Sequence, residues 1–147
     1  MGEKIEIRVS PGLDVGSVLI DQDQFVNALI NMAANARDAM SDGGKFTIET
    51  TPANLDKKQA VQYQSLTPGR YVVITITDTG SGMPDHVRQR IFDPFYTTKP
   101  AGQGTGLGLS MVYGLIQQSG GHIEVESAPG RGTKFKILLP THDGAVK

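Results

Sequence analysis

The chain has 147 residues, a formal net charge of −1, three histidines and no cysteine. This length suits one domain that buries roughly two thirds of its unfolded surface around a single core, and the absence of cysteine excludes disulfides and thiolate metal sites and fits a reducing compartment. No run of Lys or Arg points to nucleic acid or an anionic membrane, no apolar run approaches a membrane span, and no signal peptide precedes the first strand pattern, so a cytoplasmic domain is expected.

Met1-Gly2 directly before a strand pattern suits either a short natural N-terminus or the cut edge of a longer protein. Ile5, Ile7 and Val9 alternate with Glu6 and Arg8, which predicts a strand ended by Pro11-Gly12. Val18-Leu19-Ile20 is a second short extended piece. Asp21, with Gln24 behind it, predicts the N-cap of a helix that runs to about Met40 and stops at Gly43-Gly44. On that helix Val26, Leu29, Ile30, Ala33, Ala36 and Met40 form the expected core stripe, and Asn27, Asn31, Asn35 and Asp38 gather opposite. A face that only meets water normally carries Lys, Glu, Gln or Arg. Asn and Asp are poorer helix formers and short, rigid oxygen ligands. With Ala28, Ala34 and Ala39 leaving room beside them, they suit a hydrated Mg²⁺, which takes few protein oxygens and keeps its waters and the substrate phosphates.

Lys45 to Thr51 alternates as another strand, with Phe46, Ile48 and Thr50 on one side. Pro52 to Gly69 reads as an excursion with one helical turn around Asp56–Gln62. Tyr71 to Asp78 is the strongest strand pattern, and Asp78 continues the row of Val72, Ile74 and Ile76. A carboxylate there needs a donor. The amino group of a base approaching the Thr79–Pro84 turn is one, and the turn's own amides are the other. Pro84 to Ile91 predicts a short helix. From Asp93 to Gly104 there is no period and many Pro and Gly, which predicts a mobile cover whose aromatics (Phe92, Phe95 and Tyr96) anchor its root, with Lys99 its one cation able to reach a phosphate. Gly102, Gly104, Gly106 and Gly108 then run into a helix whose apolar face is Leu109, Val112, Leu115 and Ile116. Glycine-rich backbone before a helix N-terminus suits an anion, although neither P-loop nor Rossmann spacing is present. Ser119-Gly120-Gly121 ends that helix, a hairpin follows around Ala128–Gly132, and Thr141 to Lys147 is a polar tail.

Antiparallel strands with one polar face, and helices whose apolar stripes need cover, imply a two-layer α/β sandwich: a mixed, mainly antiparallel sheet with about three helices on one face.

Four stretches, in order, resemble the N, first glycine, F and second glycine boxes of the ATP-binding domain of sensor histidine kinases: Asn31 to Ala39, Asp78 to Gly82, Phe92 to Phe95, and Gly104 to Leu109. The resemblance covers nearly the whole chain and places it in the GHKL superfamily, built on the Bergerat sandwich, with DNA gyrase, mismatch-repair ATPases and an ATP-driven chaperone. It implies binding of ATP and Mg²⁺, with Asn35 as the metal ligand and Asn31 as its polar partner one turn earlier. It implies Asp78 as the adenine acceptor, Gly80, Gly82 and Met83 around the base, and Asp38 near the nucleotide. Gly104, Thr105, Gly106, Leu107 and Gly108 become the phosphate loop. The sequence departs from the pattern where many kinases have Lys and an aromatic, here Asp38 and Ala39, and where many have Arg, here Thr97; Lys99 and Arg37 are left to meet phosphate charge.

The hydrolysing branches are expected to carry Glu where Asn31 stands, a base for water that Asn cannot be. The implied reaction is transfer of the γ-phosphoryl group to a histidine on a separate dimerisation domain, and onward to a response-regulator receiver. An ATPase and an inactive nucleotide-binding regulatory module are the alternatives. His86, His122 and His142 all lack an acceptor's setting, so the chain reads as the catalytic half of a longer sensor kinase.

Overall fold

Alternating apolar residues form five strands: β1 (Ile5–Ser10), β2 (Gly44–Leu55), β3 (Gly69–Asp78), β4 (His122–Ser127) and β5 (Thr133–Pro140). They make one mixed sheet in the order β1-β2-β3-β5-β4, with β1 parallel to β2 and the other pairs antiparallel. The helices are α1 (Gln22–Ala39), α2 (Lys57–Val61), α3 (Asp85–Arg88) and α4 (Gly108–Gln118). This computed structural model describes residues 5–10, 18, 20–40, 43–63, 66–94 and 108–141.

The even residues of β3 (Val72, Ile74, Ile76) and the odd residues of β5 (Phe135, Ile137, Leu139) point to the same side and pack against α1, α4 and the segment that follows α3. Each such side chain contributes about 1.5–3 kcal/mol by leaving water. The other face of the sheet carries a smaller cluster in which Tyr71, Val73 and Leu138 meet Leu55, Ala60 and Leu66. That cluster is what the expected excursion becomes. α2 forms there because Asp56 and Gln59 make a capping box, with N···O distances of 2.8 and 3.1 Å. β2 also runs further than expected, through Pro52 to Leu55. Among the described residues its pairing with β1 ends at Glu49, and beyond that point no ladder is seen on that edge, where a missing N–H is tolerated.

α1 starts where expected, with Asp21 Oδ1 accepting from the Gln24 N–H at 3.0 Å. The face it buries overlaps the expected stripe in part: Leu29, Ala33, Ala36 and Met40 are in or against the core, and Val26 and Ile30 are not. Ala28, Met32, Ala36 and Met40 are buried, whereas Val26 is 46% and Ile30 59% exposed. The buried face is turned away from the side of the helix that carries its β-branched residues. Two alanines and two methionines let it lie close on the sheet, and this orientation brings Asn31 and Asn35 to half-buried positions while Asn27 and Asp38 stay exposed. None of the helices among the described residues is long and apolar enough to cross a membrane.

Candidate nucleotide site

At the end of β3, Asp78 continues the inward row, as its place in the alternation requires, and is 8% exposed. Its Oδ1 accepts from the Gly80 N–H at 2.8 Å, and the Thr133 N–H also donates to the carboxylate. Burial pushes the Asp78 carboxyl above its ordinary value, against the two N–H donors, which pull it down. The loop's own amide is therefore one partner of this carboxylate. With two oxygens and about four lone-pair positions, it retains capacity for a ligand donor.

The loop after Asp78 is held from both sides. Ser81 N–H donates to the Ala39 carbonyl at the end of α1 (3.0 Å), and Gly130 N–H of the β4–β5 turn donates to the Ser81 carbonyl (2.7 Å). Lys45 N–H donates to Thr79 Oγ1 at 3.0 Å. Protein neighbours account for both glycines of the loop. A β-carbon on Gly80 would come within 2.6 Å of the Ala39 carbonyl oxygen, and one on Gly82, whose φ is +72°, would collide with the Ala128 carbonyl. Met83 packs at the edge of the main core, and its N–H donates to Ser127 Oγ at 2.9 Å.

The asparagines lie one and two turns before Ala39 on the same helix, which sets Asn31 about 12 Å along the axis from the Asp78 loop. At that end the chain brings in α4. A β-carbon on Gly108, its first residue, would sit 3.5 Å from Asn31 Cγ. Gly108, the described end of the second glycine stretch, thus meets the asparagine helix, and sets the start of α4 beside a side-chain amide. A cleft of about 310 Å³ continues from Asn31 between the two helices, lined by Asn27, Met111, Gly114 and Gln118 among others.

Phe92, which precedes the expected cover, meets Tyr113 of α4 and Phe135 of β5, with ring centroids 5.3 and 6.3 Å apart. The cover itself, with Phe95, Lys99, Gly104, Thr105, Gly106 and Leu107, lies outside the described residues. Arg37 is not brought to the asparagines. It sits on the opposite flank of α1, lining a groove with Ile30, Ala33 and Phe46, and lies 3.6 Å from Asp38, its sequence neighbour. Ser127 and Thr133 join the site without having been singled out in the sequence. They flank a glycine turn and read there as ordinary hairpin residues; only the register that sets Thr133 opposite Asp78 brings them in.

The sandwich, the carboxylate loop and the asparagine helix define a histidine-kinase type of ATP-binding domain, and the sequence agrees: residues 20–143 match the histidine kinase-, DNA gyrase B-, and HSP90-like ATPase family, to which the chain belongs. The sensor kinase CckA of Brucella abortus (strain 2308) is 46% identical over 140 residues, 95% of this chain but 15% of CckA. The catalytic domain of the histidine kinase ThkA matches with a TM-score of 0.70 at 26% identity, over 94% of this chain and 81% of that one. Full-length ShkA, solved in complex with AMPPNP, matches with a TM-score of 0.70 at 27% identity, over 92% of this chain and 25% of that one. The chain therefore spans a small part of the full-length sensor kinases it resembles.

Proposed function

We propose that the domain binds Mg-ATP and gives the γ-phosphoryl group to a histidine on a separate phosphoacceptor domain of the same kinase, from which a response-regulator receiver takes it. The observation that carries this reading is that one face of α1 has a buried carboxylate loop at its C-terminal end and, two turns earlier, Asn31 against the start of α4. The base lies with its amino group on Asp78 against the loop of Gly80, Gly82 and Met83. The phosphates lie toward Asn35, Asn31 and the N–H groups that begin at Gly108, with Gly104, Thr105, Gly106 and Leu107 extending that cradle and Lys99 meeting its charge. Phe95 stands at the lid's root, the lid runs from about 93 to 104, and Asp38 borders the nucleotide.

Among the described residues no group of three or more His, Cys, Asp or Glu stands ready to cage a metal. Neutral amide oxygens beside a phosphate site do fit Mg²⁺, whose remaining positions go to phosphate and water. Asn35 would hold it, and when bound it would neutralise phosphate charge. Asn31 cannot take a proton from water, so the γ-phosphate remains available for transfer. The acceptor imidazole must instead be brought in line with the transferring group, which is a matter of positioning. Residues 1–147 form one catalytic domain in this reading, working in the cytoplasm, where ATP is supplied.

The test is to mix the chain with the helical hairpin of its own kinase, supplied as a separate polypeptide, and radiolabelled ATP. Acid-labile, base-stable label on the hairpin is expected, at a rate that rises with hairpin concentration. Fast hydrolysis with no label on the hairpin would favour an ATPase, and tight ATP binding with neither reaction would favour a regulatory module.

A further inference from the structure

α1 presents three sides. One lies on the sheet through Ala28, Met32, Ala36 and Met40, and a second faces the cleft toward α4 through Asn27 and Asn31. Asp23, Val26, Ile30, Ala33 and Arg37 make the third, recurring at steps of three, four, three and four residues. That is the spacing of a heptad seam, which keeps one stripe turned toward a partner helix over successive turns. Val26 and Ile30, 46% and 59% exposed, give the stripe an apolar centre. A single apolar residue at a surface needs no explanation, but two in one stripe beside an apolar groove mark a contact surface. The groove, about 350 Å³, runs along this side and is lined by Ile30, Ala33, Ala34, Arg37 and Phe46 among others. Its alanines leave room for a second helix to approach closely.

The two ends of the stripe carry opposite charge, Asp23 in the first turn of α1 and Arg37 in the last. Arg37 lies 3.6 Å from Asp38, with both side chains exposed. A surface pair of that kind is worth little, and a guanidinium has five N–H donors, so Arg37 retains donors for a second carboxylate. A parallel copy of α1 would set Asp23 against Asp23 and Arg37 against Arg37. An antiparallel copy sets each Arg37 beside the first turn of the other helix, where Asp23 stands, and it does so twice about a two-fold axis. It also opposes the two helix dipoles. The charge pattern of this side is therefore complementary to itself in one orientation only.

We propose that this side of α1 is an interaction surface for a second copy of the same chain, packed antiparallel. Ile30 of each copy fills the space over Ala33 of the other, and Val26 covers the aliphatic stem of the other copy's Arg37, whose guanidinium reaches Asp23. A large side chain meets a small or flexible one at each level of the seam. One helix from each copy makes a small contact, so the association is weak and reversible. It uses a side of α1 turned away from Asn27 and Asn31 and leaves the cleft toward α4 open. The surface gives Arg37, which the fold does not bring to the asparagines, a role apart from phosphate charge.

The experiment is sedimentation equilibrium of the wild-type chain and of I30E, D23R, R37D and D23R/R37D, with thermal unfolding of each at dilution to show that it is folded. The wild-type mass should rise from one chain toward two with concentration, and less steeply at high salt. I30E places a charge in the middle of the seam and should weaken association by about tenfold or more. D23R and R37D each turn two attractive contacts into two repulsive ones and should weaken it by about tenfold. D23R/R37D exchanges the charges and should restore it. An equimolar mixture of D23R and R37D should associate more tightly than either variant alone, because a stripe with Arg at both ends then meets one with Asp at both ends. A wild-type mass that stays at one chain up to about 1 mM overturns the proposal. Undiminished association in I30E or in R37D also overturns it, by placing the contact elsewhere. Should I30E fail to fold, the charge exchange decides: a double variant that associates no better than the single ones overturns the antiparallel pairing.

Discussion

Asp78 and Thr133 face each other across β3 and β5, and the Thr133 N–H donates to the Asp78 carboxylate that burial has pushed toward its protonated form. A native pKa raised above the ordinary 3.8 means that, between that value and the raised one, the folded state binds more protons than the unfolded state. Stability supplied by this group is therefore complete below 3.8 and is lost as pH rises through the native pKa. Asp78→Asn removes that titration. In denaturant titrations from pH 3 upward without nucleotide, wild-type stability should fall relative to Asp78→Asn and then run parallel to it. ATP binding by the variant should weaken by about 1–3 kcal/mol, the cost of disrupting a buried polar pair. A wild-type curve that rises relative to the variant across that range would reverse the assignment of the shift to burial.

Gly82→Ala tests whether the carboxylate loop is held by the β4–β5 turn. Its φ of +72° and the collision of a β-carbon with the Ala128 carbonyl leave an alanine no accommodating position. A loss of about 2 kcal/mol or more is expected in urea unfolding, with weaker ATP binding from the displaced loop. Wild-type stability in this variant would show that loop and turn are not locked together.

Met32 and Ile30 separate the two possible orientations of α1. Met32 is 2% exposed and Ile30 59%, so Met32→Ala should cost about 2–5 kcal/mol and Ile30→Ala within about 0.5 kcal/mol. The reverse order in thermal or chemical unfolding would restore the stripe expected from the sequence.

This rotation marks the limit of what periodicity conveys. The 3.6-residue period showed that α1 has an apolar side and an asparagine side, but the larger β-branched residues weighted the estimate toward Val26 and Ile30. The actual face is set by how closely alanine lets the helix approach the sheet and by the cleft that α4 forms with Asn31, neither of which is local in sequence. Asp78 was legible because strand alternation alone carries it inward. Ser127 and Thr133 were not, because their meaning depends on a cross-strand register set by a hairpin and by the pairing of β5 with β3. Pro52 misled for a similar reason: whether a proline ends a strand depends on where the neighbouring strand stops.

Asn35→Ala should leave the fold intact, since the residue is only half-buried and alanine is the better helix former. The difference in ATP affinity between Mg²⁺ and chelator should largely disappear. Calorimetry that retains the full wild-type difference would move the metal ligand elsewhere.

Asn31→Glu addresses why this site would spare the γ-phosphate from water. Asn31 lies against the first residue of α4, so a carboxylate placed there would sit at a helix start, whose partial positive charge favours the ionised form. An ionised carboxylate beside the terminal phosphate can accept a proton from attacking water, which the amide cannot. General-base assistance is worth about 10²–10⁴-fold when fully aligned. An unrefined substitution should reach the lower part of that range, so hydrolysis by Asn31→Glu should exceed wild type by about tenfold or more at neutral pH. Asn31→Ala serves as the control, because it opens the same space without a base and should hydrolyse no faster than wild type. Label transfer to the phosphoacceptor hairpin should fall in Asn31→Glu as water competes for the phosphoryl group. Equal hydrolysis by all three proteins, with ATP affinity preserved, would show that position 31 does not face the attacking water and that restraint of hydrolysis lies in another part of the site.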